Sequence, residues 1–153
     1  MRIVSGGQTG VDRAALDAAI LAGFPVGGWC PRGRLAEDGS VPCNYPLRET
    51  PSADYAERTR WNVRDSSGTL ILHSGPIMGG TALTKDLATE YGRPCLCVDF
   101  GGQISLAKVS DWLGKHRIQT LNVAGPRESS NPGIYSLAYR LLLELLNYQL
   151  SRR

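Results

Sequence analysis

Residues 1–10 read M-R-I-V-S-G-G-Q-T-G, and an amphipathic segment, residues 11–21, follows them directly. The apolar pair Ile3-Val4 predicts a strand, and the glycine pair after it predicts a turn. A strand, a glycine turn and a helix in this order direct backbone N–H groups and the positive end of a helix dipole towards an anion. We therefore predict a site for phosphate or a similar oxyanion in this turn. Its residues are Gly6, Gly7, Gln8, Thr9 and Gly10.

The same layout occurs a second time further along the chain. The apolar run 69–72 predicts a buried strand, residues 73–81 contain a second glycine pair, and a helix is expected to about residue 91. Apolar runs at 95–99 and 120–124 predict further strands. Strands that alternate with helices indicate a three-layer α/β sandwich with a mainly parallel sheet. Ligands of such sheets bind beyond the carboxyl ends of the strands, where loops 5–10, 74–81 and 125–131 would meet.

The segments between these elements are less regular. Residues 26–30 predict a weak second strand, and we expect three more helices, at 53–66 with Ser52 as its cap, at 105–117 and at 132–150. The last of them is apolar around most of its girth, which favours a homo-oligomer. Residues 31–52 lack any period, and irregular segments of this length inside a domain are usually functional or mobile. We interpret them as a lid or side wall that brings Arg32 and Arg34 to the site.

The composition is that of a globular protein. With 153 residues, 42% of them hydrophobic and 20% charged, the chain is expected to form one domain, 1–153. No apolar run approaches the ~20 residues of a membrane span and no signal peptide is present, so we expect a cytoplasmic protein without a membrane partner. Only three of the 17 basic residues are lysines. Arginine suits oxyanions, although codon usage explains its abundance equally well. The arginines form no continuous run, which argues against a nucleic-acid partner.

Metal and nucleophile chemistry find little support in the sequence. The cysteines lack a histidine pair or a second C-x-x-C, so we interpret them as small core residues rather than zinc ligands. They are Cys30, Cys43, Cys95 and Cys97. His73 follows a buried strand at the edge where ligands bind, but a hydrogen-bonded loop histidine is the simpler interpretation. No nucleophile elbow and no pair of catalytic carboxylates can be assembled.

Two common nucleotide-binding motifs are missing. The pattern G-x-G-x-x-G would need glycine in place of Ser5, and a cationic stretch at 30–34 replaces the acidic residue that binds a ribose. A P-loop is absent as well, so neither NAD binding nor ATP turnover is indicated. Asp12 is expected to complement the helix dipole. Arg13 either reaches over the loop to an anion or pairs with Asp17 at i+4.

Six segments carry a resemblance to a known family. They are S-G-G-Q-T-G-V-D-R-A-A-L-D (5–17), G-W-C-P-R-G-R-L-A-E-D-G (28–39), Y-P-L-R-E-T (45–50), R-T-R-W-N-V-R-D-S-S-G-T-L-I (58–71), M-G-G-T-A-L-T (78–84) and L-N-V-A-G-P-R-E-S-S-N-P-G-I-Y (121–135). In this order they resemble the molybdenum carrier proteins, also called molybdenum cofactor carrier proteins. The resemblance implies a Rossmann-like fold of the lysine-decarboxylase-like group and a homo-oligomer. It also implies a carrier that holds molybdenum cofactor or molybdate without a metal-coordinating side chain, and transient contact with molybdoenzymes.

The same group contains phosphoribohydrolases, whose motif G-G-x-G-T-x-x-E supplies a catalytic glutamate. Thr84 stands at that position here, which favours a carrier over an enzyme. A nucleotide-processing N-glycosidase would need another carboxylate, such as Glu37 or Asp38, and a nucleotide-sensing module is a third alternative. The predicted ligand-binding residues, including the second glycine pair and the candidate arginine clamps, are Gly6, Gly7, Gln8, Thr9, Gly10, Arg13, Arg32, Arg34, Gly79, Gly80, Thr81, Arg127 and Ser129.

Overall fold

Five parallel strands form the central sheet of the computed structural model, which describes residues 1–153. In chain order they are β1 (Arg2–Val4), β2 (Val26–Gly27), β7 (Gly68–His73), β8 (Cys95–Asp99) and β9 (Thr120–Ala124). The short strands outside this sheet are β3 (Trp29–Cys30), β4 (Leu35–Ala36), β5 (Gly39–Ser40) and β6 (Arg48–Glu49). The helices are α1 (Val11–Ala22), α2 (Tyr55–Arg64), α3 (Gly79–Glu90), α4 (Leu106–Lys115) and α5 (Ile134–Ser151). None of them combines the length and apolar character needed to cross a membrane.

The central sheet has the order β2-β1-β9-β7-β8, with every neighbouring pair parallel. The largest hydrophobic cluster joins one face of this sheet to α1, α4 and α5. A smaller cluster of Val63, Leu87 and Ala88 joins α2 to α3 on the opposite side. The prediction of a Rossmann-like α/β sandwich is therefore confirmed.

Strand β9 shows how the sheet separates apolar from polar side chains. Successive residues of a strand point to opposite faces. Leu121 and Val123 are fully buried in the large cluster, whereas Asn122 faces the other way and its Nδ2 donates to Thr69 Oγ1 at 3.3 Å. This alternation places a polar side chain on the sheet face beneath α2 and α3.

The weak strand predicted at 26–30 is broken at Gly28. This residue has a φ of +124°, and a Cβ on it would lie 2.3 Å from the carbonyl oxygen of Ser5. The backbone bends there, so Val26–Gly27 joins the central sheet and Trp29–Cys30 pairs with Arg48–Glu49 instead. Residues 31–52, expected to be irregular, contain one strand of this pairing (β6), a 3-10 turn and the β4–β5 hairpin.

Two smaller expectations also need correction. Helix α2 is capped by Asp54, whose carboxylate accepts from the Ala56 N–H at 3.0 Å, whereas Ser52 lies two residues earlier and accepts from the Asp54 N–H. Cys30 is buried as predicted, but Cys43 is exposed and the other two cysteines are only half-buried. All four are free thiols.

Candidate functional site

A cavity of about 430 Å³ opens at the carboxyl ends of β1, β9 and β7. Its volume lies in the range typical of small-molecule sites, but its wall is mostly polar. The polar side chains on this wall are those of Gln8, Asp12, Arg58, Thr59, Asn62, Thr81, Thr84, Asn122, Arg127, Ser129, Ser130 and Asn131. The cavity therefore lies where the topology predicted a ligand site.

The N-terminus of α3 opens onto this cavity without a cap. The backbone N–H groups of Gly79, Gly80 and Thr81 donate to no protein atom, and the Met78 side chain makes no capping hydrogen bond. The first intrahelical hydrogen bond is that from Ala82 N to Met78 O, at 3.3 Å. Free N–H groups and the positive end of a 12-residue helix favour an anion at this position.

The first glycine turn, in contrast, uses its N–H groups internally. The N–H of Gly7 donates to Ser5 Oγ at 3.4 Å, that of Gln8 to Asp12 Oδ2 at 3.2 Å, and that of Thr9 to Gln8 Oε1 at 3.0 Å. These donors are not free to hold an anion. This corrects the expectation that Gly7, Gln8 and Thr9 bind an oxyanion through their backbone.

The carbonyl side of that turn holds a buried guanidinium. Arg58 of α2 is 8% exposed, and its Nη1 donates to Gly6 O at 2.9 Å. A Cβ on residue 6 would lie 2.3 Å from this Nη1, so the contact requires glycine. The Nε and Nη2 groups of Arg58 donate to no protein atom, although the residue lies on the cavity wall. Arg58 thus brings unused donors to the cavity.

Asp12 lies beside Arg58 at the inner end of the cavity. Its Oδ2 is 3.7 Å from Arg58 Nη1, and its Oδ1 accepts no hydrogen bond from the protein. Burial raises the pKa of this carboxyl to about 6, although the Arg58 charge and the N–H groups of Gln8 and Gly6 act in the opposite direction. Rather than complementing the α1 dipole at the surface, Asp12 is a buried carboxyl on the cavity wall, and its burial raises its pKa.

The loop after β9 is fastened by Glu37. The Glu37 carboxylate accepts hydrogen bonds from Thr9 Oγ1, from Ser129 Oγ and, at 3.2 Å, from the Ser129 N–H. Arg127 Nη1 lies 3.9 Å from Glu37 Oε2. Burial opposes ionisation of Glu37, but the hydrogen bonds from Ser129 and Thr9 lower its pKa. Arg127 and Ser129 line the cavity, whereas the Thr9 hydroxyl is committed to Glu37.

Arg13 takes neither of the two roles proposed from the sequence. Its guanidinium donates to Asp38 Oδ1 at 2.7 Å and Oδ2 at 2.5 Å, and its Nε donates to Gly7 O at 3.0 Å. Asp17 instead accepts from the hydroxyls of Tyr45 and Tyr135. Arg13 therefore fixes the β4–β5 hairpin to the glycine turn rather than facing a ligand.

Arg34 holds residues 31–52 together. Its guanidinium donates to the carbonyl oxygens of Pro42, Tyr45, Val41 and Leu47 at 2.7–3.2 Å. No residue between 31 and 52 lines the cavity, so the segment is not the lid that the sequence suggested. Arg32 is exposed and likewise lies away from the cavity.

The structure divides the predicted site residues into two groups. Those that line the cavity are Gly6, Gln8, Gly79, Gly80, Thr81, Arg127 and Ser129. Those that lie outside it are Gly7, Thr9, Gly10, Arg13, Arg32 and Arg34. Sequence reasoning missed Arg58 and undervalued Asp12. The available signal for Arg58 was its spacing from Asn62, since residues four apart lie on the same face of helix α2.

Two further residues bear on catalysis. Thr84, at the position of the hydrolase glutamate, donates its hydroxyl to Gly80 O at 2.9 Å. His73 Nδ1 lies 2.8 Å from Gly75 O and the residue is not part of the cavity wall, which agrees with a loop histidine held by the backbone. No group of three or more His, Cys, Asp or Glu side chains is arranged to hold a metal ion.

Comparisons with known proteins show the family to which the chain belongs. The sequence model of the circularly permutated YpsA SLOG family matches residues 3–146. The chain belongs to this family. This chain is also similar to a solved structure, the crystal structure of a "Putative molybdenum carrier protein" from Syntrophus aciditrophicus SB. The two chains are 50% identical and superpose with a TM-score of 0.88, over 95% of this chain and 93% of the other. The resemblance found in the sequence is thereby confirmed. None of the curated proteins matches the chain.

Proposed function

We propose that this chain is a non-catalytic carrier that binds molybdenum cofactor or molybdate in the cavity. The observation that carries the proposal is the uncapped N-terminus of α3, where the N–H groups of Gly79, Gly80 and Thr81 face a polar cavity unpaired. Phosphate and molybdate are both tetrahedral oxyanions, so the same donors suit either end of the cofactor. The 50% identical protein named as a molybdenum carrier supports the choice of cargo.

Two guanidinium groups complete the anion site. Arg58 comes from α2 and Arg127 from the loop after β9, and the ring of Tyr55 lies 5.2 Å from the first and 5.6 Å from the second. Cation–π contact of this kind holds a guanidinium in place without using its N–H donors. Tyr55 thus leaves both arginines able to contact an oxyanion of more than one charge.

The proposal is tested by titration calorimetry with phosphate and with molybdate. Thr81 lies on the cavity wall and its hydroxyl makes no hydrogen bond to the protein. We expect Thr81→Val, which keeps the shape of the side chain, to weaken binding by about 10-fold or more, the value of a hydrogen bond to a charged group. Thr89→Val is the matched control, because Thr89 lies on the same helix but is exposed and outside the cavity. Equal affinities for the wild type and Thr81→Val would contradict the proposed site.

An N-glycosidase remains the second candidate because of one residue. Asp12 is the only carboxylate on the cavity wall, while the carboxylates suggested from the sequence, Glu37 and Asp38, lie outside it. A carboxyl with a pKa of about 6 could serve as a general acid. Incubation with a panel of nucleoside monophosphates, followed by chromatography for free base, separates the two. Release of free base that disappears in Asp12→Asn supports the enzyme, and no release supports a carrier.

A thermal-shift screen with nucleotides and molybdate tests the third alternative, a nucleotide-sensing module.

The carrier is also proposed to be a homo-oligomer. Ile20 and Leu21 of α1 and Leu137 of α5 are 47%, 65% and 45% exposed, and α1 packs against α5. Exposed apolar groups on neighbouring helices are suited to contact with a second copy. Light scattering coupled to gel filtration should give a mass above 16.6 kDa, and Leu21→Lys should reduce it.

A further inference from the structure

The inner end of the cavity carries free hydrogen-bond acceptors. Asp12 Oδ1 and Asn122 Oδ1 accept no hydrogen bond from the protein, although the two residues are only 8% and 3% exposed. The other polar atom of each side chain is engaged, Asp12 Oδ2 by the Gln8 N–H and Asn122 Nδ2 by donation to Thr69 Oγ1. Both side chains are therefore held in place with one acceptor unused.

An oxyanion does not fit at this inner end. A carboxylate repels an anion, and a buried acceptor that a ligand leaves unpaired costs binding free energy. The free N–H groups of α3 lie on the far side of β9, since α1 follows β1 and α3 follows β7. Two strand spacings separate these positions by about 10 Å. The cavity thus suits a ligand that has an anionic group at one end and hydrogen-bond donors at the other.

We propose that the inner end binds the N–H edge of a 2-amino-4-oxopyrimidine ring while the N-terminus of α3 holds the phosphate of the same ligand. This ring edge is shared by pterins and by guanine. Its exocyclic amino group and its ring N–H point in the same direction and match the two oxygens of a carboxylate or two neighbouring acceptors. The inference rests on the proposed function, because it assumes an anion at α3.

A donor for the ring carbonyl is also available. The Arg58 Nε and Nη2 groups donate to no protein atom, and neither does Gln8 Nε2, which is fully buried. Buried donors without a partner are rare in proteins and call for an explanation. Because Arg58 has two free groups, a carbonyl oxygen next to the N–H edge of the ligand can accept from one of them while the anion of the same ligand accepts from the other.

Three nucleotides isolate this recognition. Guanosine, inosine and adenosine 5′-monophosphates share the phosphate and the ribose, so any difference in affinity arises from the ring. Inosine monophosphate lacks the amino group, and the adenine ring turns an acceptor nitrogen towards Asp12. We expect guanosine monophosphate to bind about 10- to 100-fold more tightly than either, as for one hydrogen bond to a charged group. Calorimetry at pH 8.5 keeps Asp12 ionised, because its pKa is about 6 in the free protein and rises by roughly one unit for each charge of a bound phosphate.

Variants at Asp12 test the residue itself. In Asp12→Asn and in Asp12→Ala the preference for guanosine over inosine monophosphate should fall to within a few-fold, whatever the change in overall affinity. Asp38→Asn removes a carboxylate outside the cavity and should keep the full preference. Equal binding of the three nucleotides to the wild type, or a preference that survives in both Asp12 variants, would overturn the inference.

Two further arms distinguish the sources of the ring and separate this inference from the proposed function. Tighter binding of 6-hydroxymethylpterin monophosphate than of guanosine monophosphate identifies a pterin ligand, and the reverse identifies a nucleotide. If phosphate and molybdate bind but no ring-bearing ligand binds more tightly than phosphate, the ring inference is wrong and the anion site stands. If neither anion binds, the proposed function fails and the inference fails with it.

Discussion

Asp12→Asn should make the protein more stable while it impairs the site. Asp12 is buried, and burial raises its pKa from the usual 3.8 to about 6 in spite of the nearby Arg58 charge. Between these pH values the unfolded chain loses the Asp12 proton and the folded chain keeps it. Stability therefore falls as the pH rises from about 4 to about 6, and the ionised carboxylate continues to destabilise the folded state above that range.

The size of the effect follows from the gap between the two pKa values. A gap of about two units corresponds to about 3 kcal/mol at pH 8 and to nothing below about pH 4. Asparagine keeps the volume of the side chain and an oxygen that can accept from the Gln8 N–H, but it loses the attraction of Arg58 at 3.7 Å. We therefore expect Asp12→Asn to raise the free energy of unfolding by about 1–3 kcal/mol at pH 8, and by little near pH 4.

Urea unfolding followed by tryptophan fluorescence between pH 4 and 8 measures this difference. Asp38→Asn is an opposite-sign control, because the hydrogen bond and charge of Arg13 lower the pKa of Asp38. Its loss should destabilise the protein at pH 8 and matter less as the pH falls. If Asp12→Asn is less stable than the wild type at pH 8, or if its advantage does not shrink towards pH 4, Asp12 is not the buried, poorly compensated carboxylate described above.

Three other outcomes are expected. Molybdate binding at pH 7 should be accompanied by uptake of about 0.4 proton, because one charge about 10 Å from Asp12 at an effective dielectric of about 20 raises its pKa by roughly one unit, from about 6 to about 7. Calorimetry in buffers of different ionisation enthalpy measures the uptake, which should vanish in Asp12→Asn. Arg34→Met should cost about 2–4 kcal/mol in urea unfolding by freeing four carbonyl groups, with the molybdate affinity unchanged. Gly6→Ala should weaken molybdate binding about 10-fold or more by displacing Arg58, whereas Gly114→Ala, with open space at its Cβ, should not.

The sheet was predictable because its strands carry strong local signals. Residues 69–72 and 120–124 are apolar runs bounded by glycine or proline, and each is followed by an amphipathic segment, so alternation alone implied a parallel sheet. The break at Gly28 was not predictable. It depends on the carbonyl oxygen of Ser5 lying 2.3 Å from where a Cβ would be, which is a contact between segments 23 residues apart.

The arginines of the site could not be sorted from sequence. Arg34 and Arg58 are both arginines in polar surroundings, yet one donates to four carbonyl oxygens of its own loop and the other keeps free donors on the cavity wall. The two arginines differ in how many backbone carbonyl oxygens lie within hydrogen-bond distance of the guanidinium in the folded chain, four for Arg34 and one for Arg58. Composition favoured oxyanion binding for the arginines as a class but carried no information on which of them have donors to spare.

The sequence also could not show which of the two glycine turns has free backbone N–H groups. Both follow a parallel strand and open a helix, so the sequence predicts an anion site for each. They differ in what surrounds the N–H groups. Ser5, Asp12 and Gln8 supply side-chain oxygens that accept from the first turn, whereas residues 74–78 supply none to the second. This difference favours the proposed anion position at α3 over the first turn, where Asp12 Oδ2 already accepts from the Gln8 N–H.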